Sequence, residues 1–446
     1  MGHPSFRMIE KNPSGTDAAV IAQVAANDGS AIWKRLMALK LKGFLIGASC
    51  IGRADKKQKE MGLQAPHAYA VLDVREIPSQ HLRLCKLRNP WGIQSWKGDW
   101  SKTSSMWNDF PDVKTLLKPE TEDDGVFWLN WQDLRDYFAS CEICRVRSED
   151  WSEIREKGFW LPSAVGLGNA VEFSCFIDTE VDITIRQESP ELREDSQSHM
   201  MDLGFGILRK DDKGDSYTLV DDTPRMLKSQ SSKEFKLKEG TYIMIPLCFN
   251  HLQIPAPRKF VFDTHSSQPL IIEKRDMQAR WLSEVMIQRA IRHGKRQEVV
   301  PLAQGGPINF YAHHGNEECG VTLVVENMAQ SPGTCLNIEI EFEESQTTNM
   351  VSSRGTYYTQ DLIPCATRAL VQVLSPRQGQ SGFGWSMRPA MQIEHGSVES
   401  HIPEFDPLSR IDEIHKAVPV STQQPDWVKN FNFNTIGRKP VGESEF

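Results

Sequence analysis

A chain of 446 residues has room for about two to four domains, and 39% hydrophobic with 25% charged residues is the composition of an ordinary folded protein. A net charge of -8 gives no electrostatic ground for binding nucleic acid, and no apolar run is long enough for a transmembrane segment. The N-terminal MGHPSFRMIEKNPSG lacks the apolar stretch of a signal peptide, and nine scattered cysteines read as reduced thiols, which points to a cytoplasmic location.

Residues 1–27 form an N-terminal extension, expected to be loose apart from a short helix over 17–26. The next domain is 28–150. Spacing predicts a helix over 30–41, capped by Ser30, with Ile32, Leu36, Met37 and Leu41 on one stripe and Gly43 as the stop. Strands are predicted at 44–50, 67–75, 83–88, 127–130 and 142–146, and a helix at 131–138. GDWSKTSSMW reads as a loop clamped by its tryptophans. Cys141 and Cys144 have metal-like spacing without a second pair and read as core thiols.

His67 opens the apolar run HAYAVLDV, and Asn89 closes LRLCKLRNPWG. Two strands joined by a turn carry both side chains to one place. A histidine acting as general base needs a partner that fixes its tautomer and ring plane, and an asparagine amide oxygen can serve. Cys50 is the one cysteine before His67. It lies in GFLIGASCIG, a predicted strand, and reads as a buried small hydrophobe, since a reactive thiol needs a helix N-terminus or a cation and some exposure.

From Trp151 the pattern changes to short alternating strands. Those at 171–177, 181–187, 204–209 and 240–246 fit a β-sandwich over 151–272. The loop with Glu188, Glu191, Glu194 and Asp195 also carries Arg193 and serines and reads as solvated. A helix is predicted over 276–292 inside a connecting segment, 273–294. Met277, Trp281, Val285 and Gln288 line one face, Gly294 stops it, and its basic end RAIRHGKR reads as solvated. A second sandwich follows over 295–394, with strands at 321–325, 336–342, 368–374 and 382–387. His313, His314, Glu317, Glu318 and Cys319 match no common metal spacing. The tail, 395–446, is polar and expected to be mostly disordered, with Trp427, Phe431 and Phe433 as a docking segment.

HAYAVLDV, RLCKLRNPWG, GDWSKTSSMW and EDDGVFWLNWQDLRDYFASCEICRV, in that order, resemble the second protease subdomain of calpain-type cysteine proteases, the peptidase C2 family. The resemblance covers about residues 30–150. Residues 151–260 are more loosely similar to the C2-like domain of that family, and GTYIMIPLCF resembles its late strand. Residues 295–394 resemble the C-terminal part of the small-optic-lobes type. The fold class so implied is α+β: a papain-like second protease subdomain, an antiparallel sheet with helices, followed by two C2-like β-sandwich domains.

The resemblance also implies a Cys-His-Asn endopeptidase acting on protein substrates within the cell. His67 is its general base and Asn89 the orienting partner. Trp91 shields their hydrogen bond. The family's cysteine subdomain and oxyanion-hole glutamine lie upstream of the histidine. Here 66 residues precede His67, and no Gly-Asp-Cys-Trp type run occurs. The chain therefore reads as the His/Asn half of the site, inactive alone, with a protein supplying the Cys subdomain as its partner. The alternative is a non-catalytic calpain-like interaction or regulatory protein. Calcium is implied around the NPWG and DG segments, but its matching positions are Ser95, Lys102, Glu122, Asp124 and Val126. Lys102 brings a positive charge and Val126 no oxygen. Asp124 remains a weak candidate, in what reads as an acidic turn. Phospholipid is a further implied partner of the C2-like domain.

Overall fold

The computed structural model describes residues 5–10, 29–50, 56–92, 96–119, 125–162, 165–188, 200–211, 216–253, 256–302, 306–315, 318–329, 334–343, 349–377, 384–395 and 410–420. The chain divides into two units, Met1–Asp150 and Trp151–Phe446. Both are built mainly of antiparallel strands, with few helices.

In the first unit the elements are β1 (Ser5–Glu10), α1 (Ser30–Leu41), β2 (Leu45–Cys50), α2 (Lys56–Glu60), β3 (His67–Ile77), β4 (Leu82–Arg88), α3 (Met106–Asp109), α4 (Pro111–Leu117), β5 (Val126–Asn130), α5 (Trp131–Tyr137) and β6 (Ser140–Cys144). The six strands form one sheet in the order β1-β6-β2-β3-β4-β5. β1 comes from the extension expected to be loose. It pairs with β6, Ser5 opposite Cys144. The proposed helix at 17–26 lies outside the described residues.

Strand alternation sets the core of this unit. In β3, Tyr69 and Val71 are buried while Ala68 and Ala70 are exposed. α1 packs Trp33, Leu36 and Leu39 into the same core, together with Phe127, Leu129 and Phe138. Two details of α1 differ from expectation. Its N-cap is Gly29, and Ser30 Oγ accepts a hydrogen bond from Arg83 Nη1 (3.0 Å) instead of capping the helix. Leu41 is 84% exposed, because the buried stripe runs through Trp33, Leu36 and Leu39 and ends two residues before it. The tryptophan-rich segment does clamp itself: Trp107 Nε1 donates to the Ser101 carbonyl (2.8 Å), and Trp100 packs edge-on to Trp107. It also forms the short helices α3 and α4, whose Trp107, Val113 and Leu117 share a second core with Leu84 and Trp128. Helices of four and seven residues are too short to leave a periodic signal.

The second unit begins with β7 (Ser152–Trp160), β8 (Asn169–Cys175), β9 (Thr179–Gln187), β10 (Asp202–Lys210), β11 (Tyr217–Asp222), β12 (Met226–Leu227), β13 (Gln230–Leu237), β14 (Gly240–Leu247), β15 (Arg258–Ser266) and β16 (Ile271–Asp276). They make two sheets, β11-β10-β14-β8-β16 and β13-β9-β15-β7, with β12 beside β10. Phe173, Phe205 and Met244 of one sheet and Ile183, Ile185 and Phe262 of the other belong to one core. Then come α6 (Ala279–His293), β17 (Lys295–Leu302), β18 (Gly306–Gly315), β19 (Glu318–Asn327), β20 (Thr334–Phe342), β21 (Met350–Ser352), β22 (Tyr358–Pro364), β23 (Thr367–Pro376), β24 (Met387–His395) and β25 (Val418–Pro419). These strands form the sheets β17-β18-β19-β23-β21 and β22-β20-β24, with β25 on β23. The strand expected at 382–387 instead begins at Met387.

α6 corrects the sequence reading most. It is not solvated. Trp281, Val285, Met286 and Ile287 share a core with Leu208 and Ile243 from the first pair of sheets and Val324 and Leu370 from the second. A Cβ placed on Gly206 would sit 2.5 Å from Val285 Cγ1, so the helix rests directly on β10. Of its basic end, Arg289 is buried while Arg292, His293, Lys295 and Arg296 are exposed. Arg289, 1% exposed, donates from Nε to Asp222 Oδ1 (3.0 Å) and from Nη2 to Glu318 Oε2 (2.9 Å). The fully buried Arg225 binds the other oxygen of Glu318 (2.7 Å) and Asp202 Oδ2 (2.7 Å). Paired in this way, two guanidiniums can leave water. Residues 410–415 form a 3-10 turn that buries Ile414 in the same core, where the His415 ring nitrogen Nδ1 donates to the Leu370 carbonyl (2.6 Å). This part of the tail, expected to be disordered, is docked. Trp427, Phe431 and Phe433 lie outside the described residues.

Candidate active site

His67 is the first residue of β3, and Asn89 follows the last residue of β4. The ladder between these strands stops at Ala70 opposite Arg88, and Pro90, which has no N–H, cannot extend it. The chain then turns. Asn89 N–H donates to the Gly125 carbonyl (2.8 Å), and Gly92 N–H donates back to the Asn89 carbonyl (3.0 Å). Gly125 has φ +82°. A Cβ there would lie 2.9 Å from Gly92 Cα and 3.1 Å from the Asn89 carbonyl oxygen. Only glycine fits that position without moving the turn.

The turn brings Asn89 to the imidazole. His67 Nε2 lies 2.8 Å from Asn89 Oδ1. The Trp91 backbone N–H donates to the same atom at 3.0 Å. An atom that receives a backbone N–H is an acceptor, so it is the amide oxygen. His67 Nε2 must then be the donor, and in the neutral ring the lone pair falls on Nδ1. Asn89 is fully buried and His67 half-buried. The Trp91 indole covers the imidazole, ring centroids 4.3 Å apart at 49°, while 61% of Trp91 stays exposed.

Two further residues that the motifs do not single out, Tyr69 and Gly125, complete the site. Tyr69 stands two residues after His67, on the same face of β3, with its ring perpendicular to the imidazole at 4.9 Å. The alternation of HAYAV could have singled it out. Gly125 is signalled only as part of an Asp-Gly turn; its support of Asn89 lies in a carbonyl and a positive φ that the sequence does not show.

Cys50 pairs opposite His67 in the β2–β3 register but is 2% exposed, and its Sγ approaches the Tyr137 carbonyl (3.7 Å). Burial pushes the Cys141 thiol up to about 12, and the Cys175 and Cys319 thiols up to about 11. These shifts oppose thiolate formation. Calcium does not fit the described members of its expected set. Lys102 presents an exposed ammonium, and Val126, 5% exposed, presents buried methyl groups. Ser95, Glu122, Asp123 and Asp124 lie outside the described residues, as do Glu191, Glu194 and Asp195 of the acidic loop.

Two other polar groups are occupied by the protein itself. Glu153, Asp263 and His265 place ligand atoms within 4.8 Å of one another, but Arg155 pairs with Glu153 and Arg186 with Asp263 (2.8 Å). Glu318, next to the His313–His314 pair in sequence, is held by Arg225 and Arg289.

An imidazole held through Nε2 by a buried amide oxygen, under an indole, has the form of the base half of a cysteine-protease site. Comparison with known proteins agrees. The calpain family cysteine protease model matches residues 11–145, and the calpain-D-like C-terminal domain model matches 289–397. The calpain-type cysteine protease DEK1 of Arabidopsis thaliana is 38% identical over 116 residues, covering 26% of this chain and 5% of the relative. Human calpain-14 is 32% identical over 139 residues, covering 29% and 20%. Mouse calpain-5 is 26% identical over 262 residues, covering 49% and 41%. Through these two regions the chain is related to the calpain-type cysteine proteases. It spans less than half the length of each of these relatives. Among the described residues no helix is long and apolar enough to cross a membrane.

Proposed function

We propose that this chain carries the His/Asn half of a calpain-type endopeptidase site and serves limited proteolysis of protein substrates inside the cell. His67 is the general base, Asn89 orients it, and Trp91 shields their hydrogen bond. The first unit is the papain-like second protease subdomain, and the second unit consists of two C2-like β-sandwiches. The observation that carries the reading is the shared acceptor: Asn89 Oδ1 takes both the Trp91 N–H and His67 Nε2, which leaves Nδ1 to receive a proton from a thiol. The thiol would be that of a Cys-bearing calpain subdomain. A second reading, a non-catalytic calpain-like interaction protein, draws on the burial of Cys50 beside the histidine.

The test is turnover of a fluorogenic peptide by the chain alone and by the chain combined with a Cys-bearing calpain subdomain. The proposal expects background rates alone and turnover in the mixture that His67→Ala abolishes. Turnover by the chain alone, lost in Cys50→Ser, would place the nucleophile in this chain instead. A mixture that binds but never turns over would favour the second reading.

A further inference from the structure

We infer that Tyr69 is a positioning residue for His67, which supplies the fixed wall that sets the imidazole plane; the inference rests on the reading of His67 as general base. The hydrogen bond to Asn89 holds one nitrogen. It does not by itself prevent the ring from tilting about that bond. Among the described residues two aromatic rings meet the imidazole, and they differ in how firmly they are held. Trp91 is 61% exposed and is therefore backed by protein on only part of its surface. Tyr69 is 2% exposed. Its ring packs edge-on against Phe138 at 5.3 Å and Phe127 at 6.1 Å, both from the core of the sheet. It stands perpendicular to His67, interplanar angle 84°.

The Tyr69 hydroxyl adds a second hold. It accepts the backbone N–H of Gln64 at 2.9 Å. Gln64 lies three residues before His67, so this bond ties down the segment that delivers the histidine to β3. One side chain thus fixes both the chain entering His67 and the space its ring can occupy. Burial pushes the phenol up from its ordinary value, which keeps the hydroxyl protonated and neutral beside the imidazole.

The test uses the full chain labelled with nitrogen-15 histidine, with His67 assigned by the signal missing from His67→Gln. In the wild type, neutral His67 is expected as the Nε2–H tautomer, its proton slowed in exchange by the bond to Asn89. In Tyr69→Leu that exchange is expected to speed up about tenfold, with the Nδ1–H tautomer appearing. Tyr69→Phe keeps the wall and loses the tie, so the tautomer is retained and exchange rises only a few-fold. A folded Tyr69→Leu with wild-type tautomer and exchange overturns the inference, even if its melting temperature falls. If Tyr69→Leu does not fold, Tyr69→Phe decides: faster exchange supports the inference and unchanged exchange overturns it. Asn89→Ala separates the two claims. If it moves the His67 signals and the Tyr69 variants do not, Tyr69 alone is misassigned. If Asn89→Ala leaves them unchanged, the pair itself is misread and Tyr69 falls with it.

Discussion

Asn89 Oδ1 stands 2.8 Å from His67 Nε2 and 3.0 Å from the Trp91 backbone nitrogen, so a single oxygen holds both the imidazole and the turn that presents it. Removing that oxygen frees both at once. In a reconstituted protease, Asn89→Ala is expected to lower kcat by about 10- to 100-fold with little change in KM, the cost of a misplaced base. Steady-state kinetics on a fluorogenic peptide check this. An equal fall carried by KM would assign Asn89 to substrate binding instead.

Gly125 is expected to be as sensitive as the residues it supports. Gly125→Ala puts a methyl group 2.9 Å from Gly92 Cα at φ +82°. The backbone strain should cost the first unit about 1–3 kcal/mol in urea unfolding. It should also lengthen the His67–Asn89 contact, read as faster exchange of the Nε2 proton. A variant as stable as the wild type would show that the turn has room to move.

Acid should weaken the second unit in two windows. Burial pushes His251 and His313 down from 6.5 to about 4, so both are neutral when folded. The unfolded chain takes up their protons first. Stability from this source is whole above pH 6.5 and is lost as pH falls towards 4. Burial alone would raise the Glu318 carboxyl, but Arg289 and Arg225 hold it down to about 2 against an ordinary 4.5. Its contribution is whole above pH 4.5 and is lost as pH falls towards 2. Glu318→Gln should cost about 3–5 kcal/mol at neutral pH, because it leaves buried guanidiniums short of a carboxylate. It should also flatten the lower window. Melting temperature against pH for the two proteins checks both effects, and parallel curves below pH 4.5 would contradict the assignment.

Calcium should bind the first unit weakly or not at all. At two positions where the resemblance implies oxygen ligands, Lys102 carries an ammonium and Val126 only methyl groups. Titration calorimetry of the full chain showing no micromolar site in the wild type is the expected result. A site lost in Asp124→Ala would revive the acidic turn as a ligand.

The parts of the site that were legible in the sequence are local. His67 and Asn89 end apolar runs, and a strand, a turn and a strand suffice to join them. The remainder depends on contacts between distant segments. Gly125 acts through a carbonyl that receives the Asn89 N–H, and no side chain advertises it. Arg289 of α6 looks like part of a solvated face until Asp222 and Glu318, each on a different sheet, are seen to pair with it. β1 has little pattern of its own and exists because the edge of β6 offers it a ladder. Strand positions in the second unit were readable from alternation at β8, β9, β10 and β14. The pairing of those strands into two sheets was not.

His67 is a general base only if it serves a thiolate. The direct measurement is the pH profile of iodoacetamide alkylation of the catalytic cysteine when this chain is combined with a Cys-bearing calpain subdomain. With wild-type chain, the rate should already be near its plateau at about pH 6, because an imidazolium holds the thiolate. With His67→Ala, the midpoint should move to the free-thiol range of about 8.5. Identical profiles for the two chains, in a complex shown to have formed, would contradict the assignment of His67 as the base.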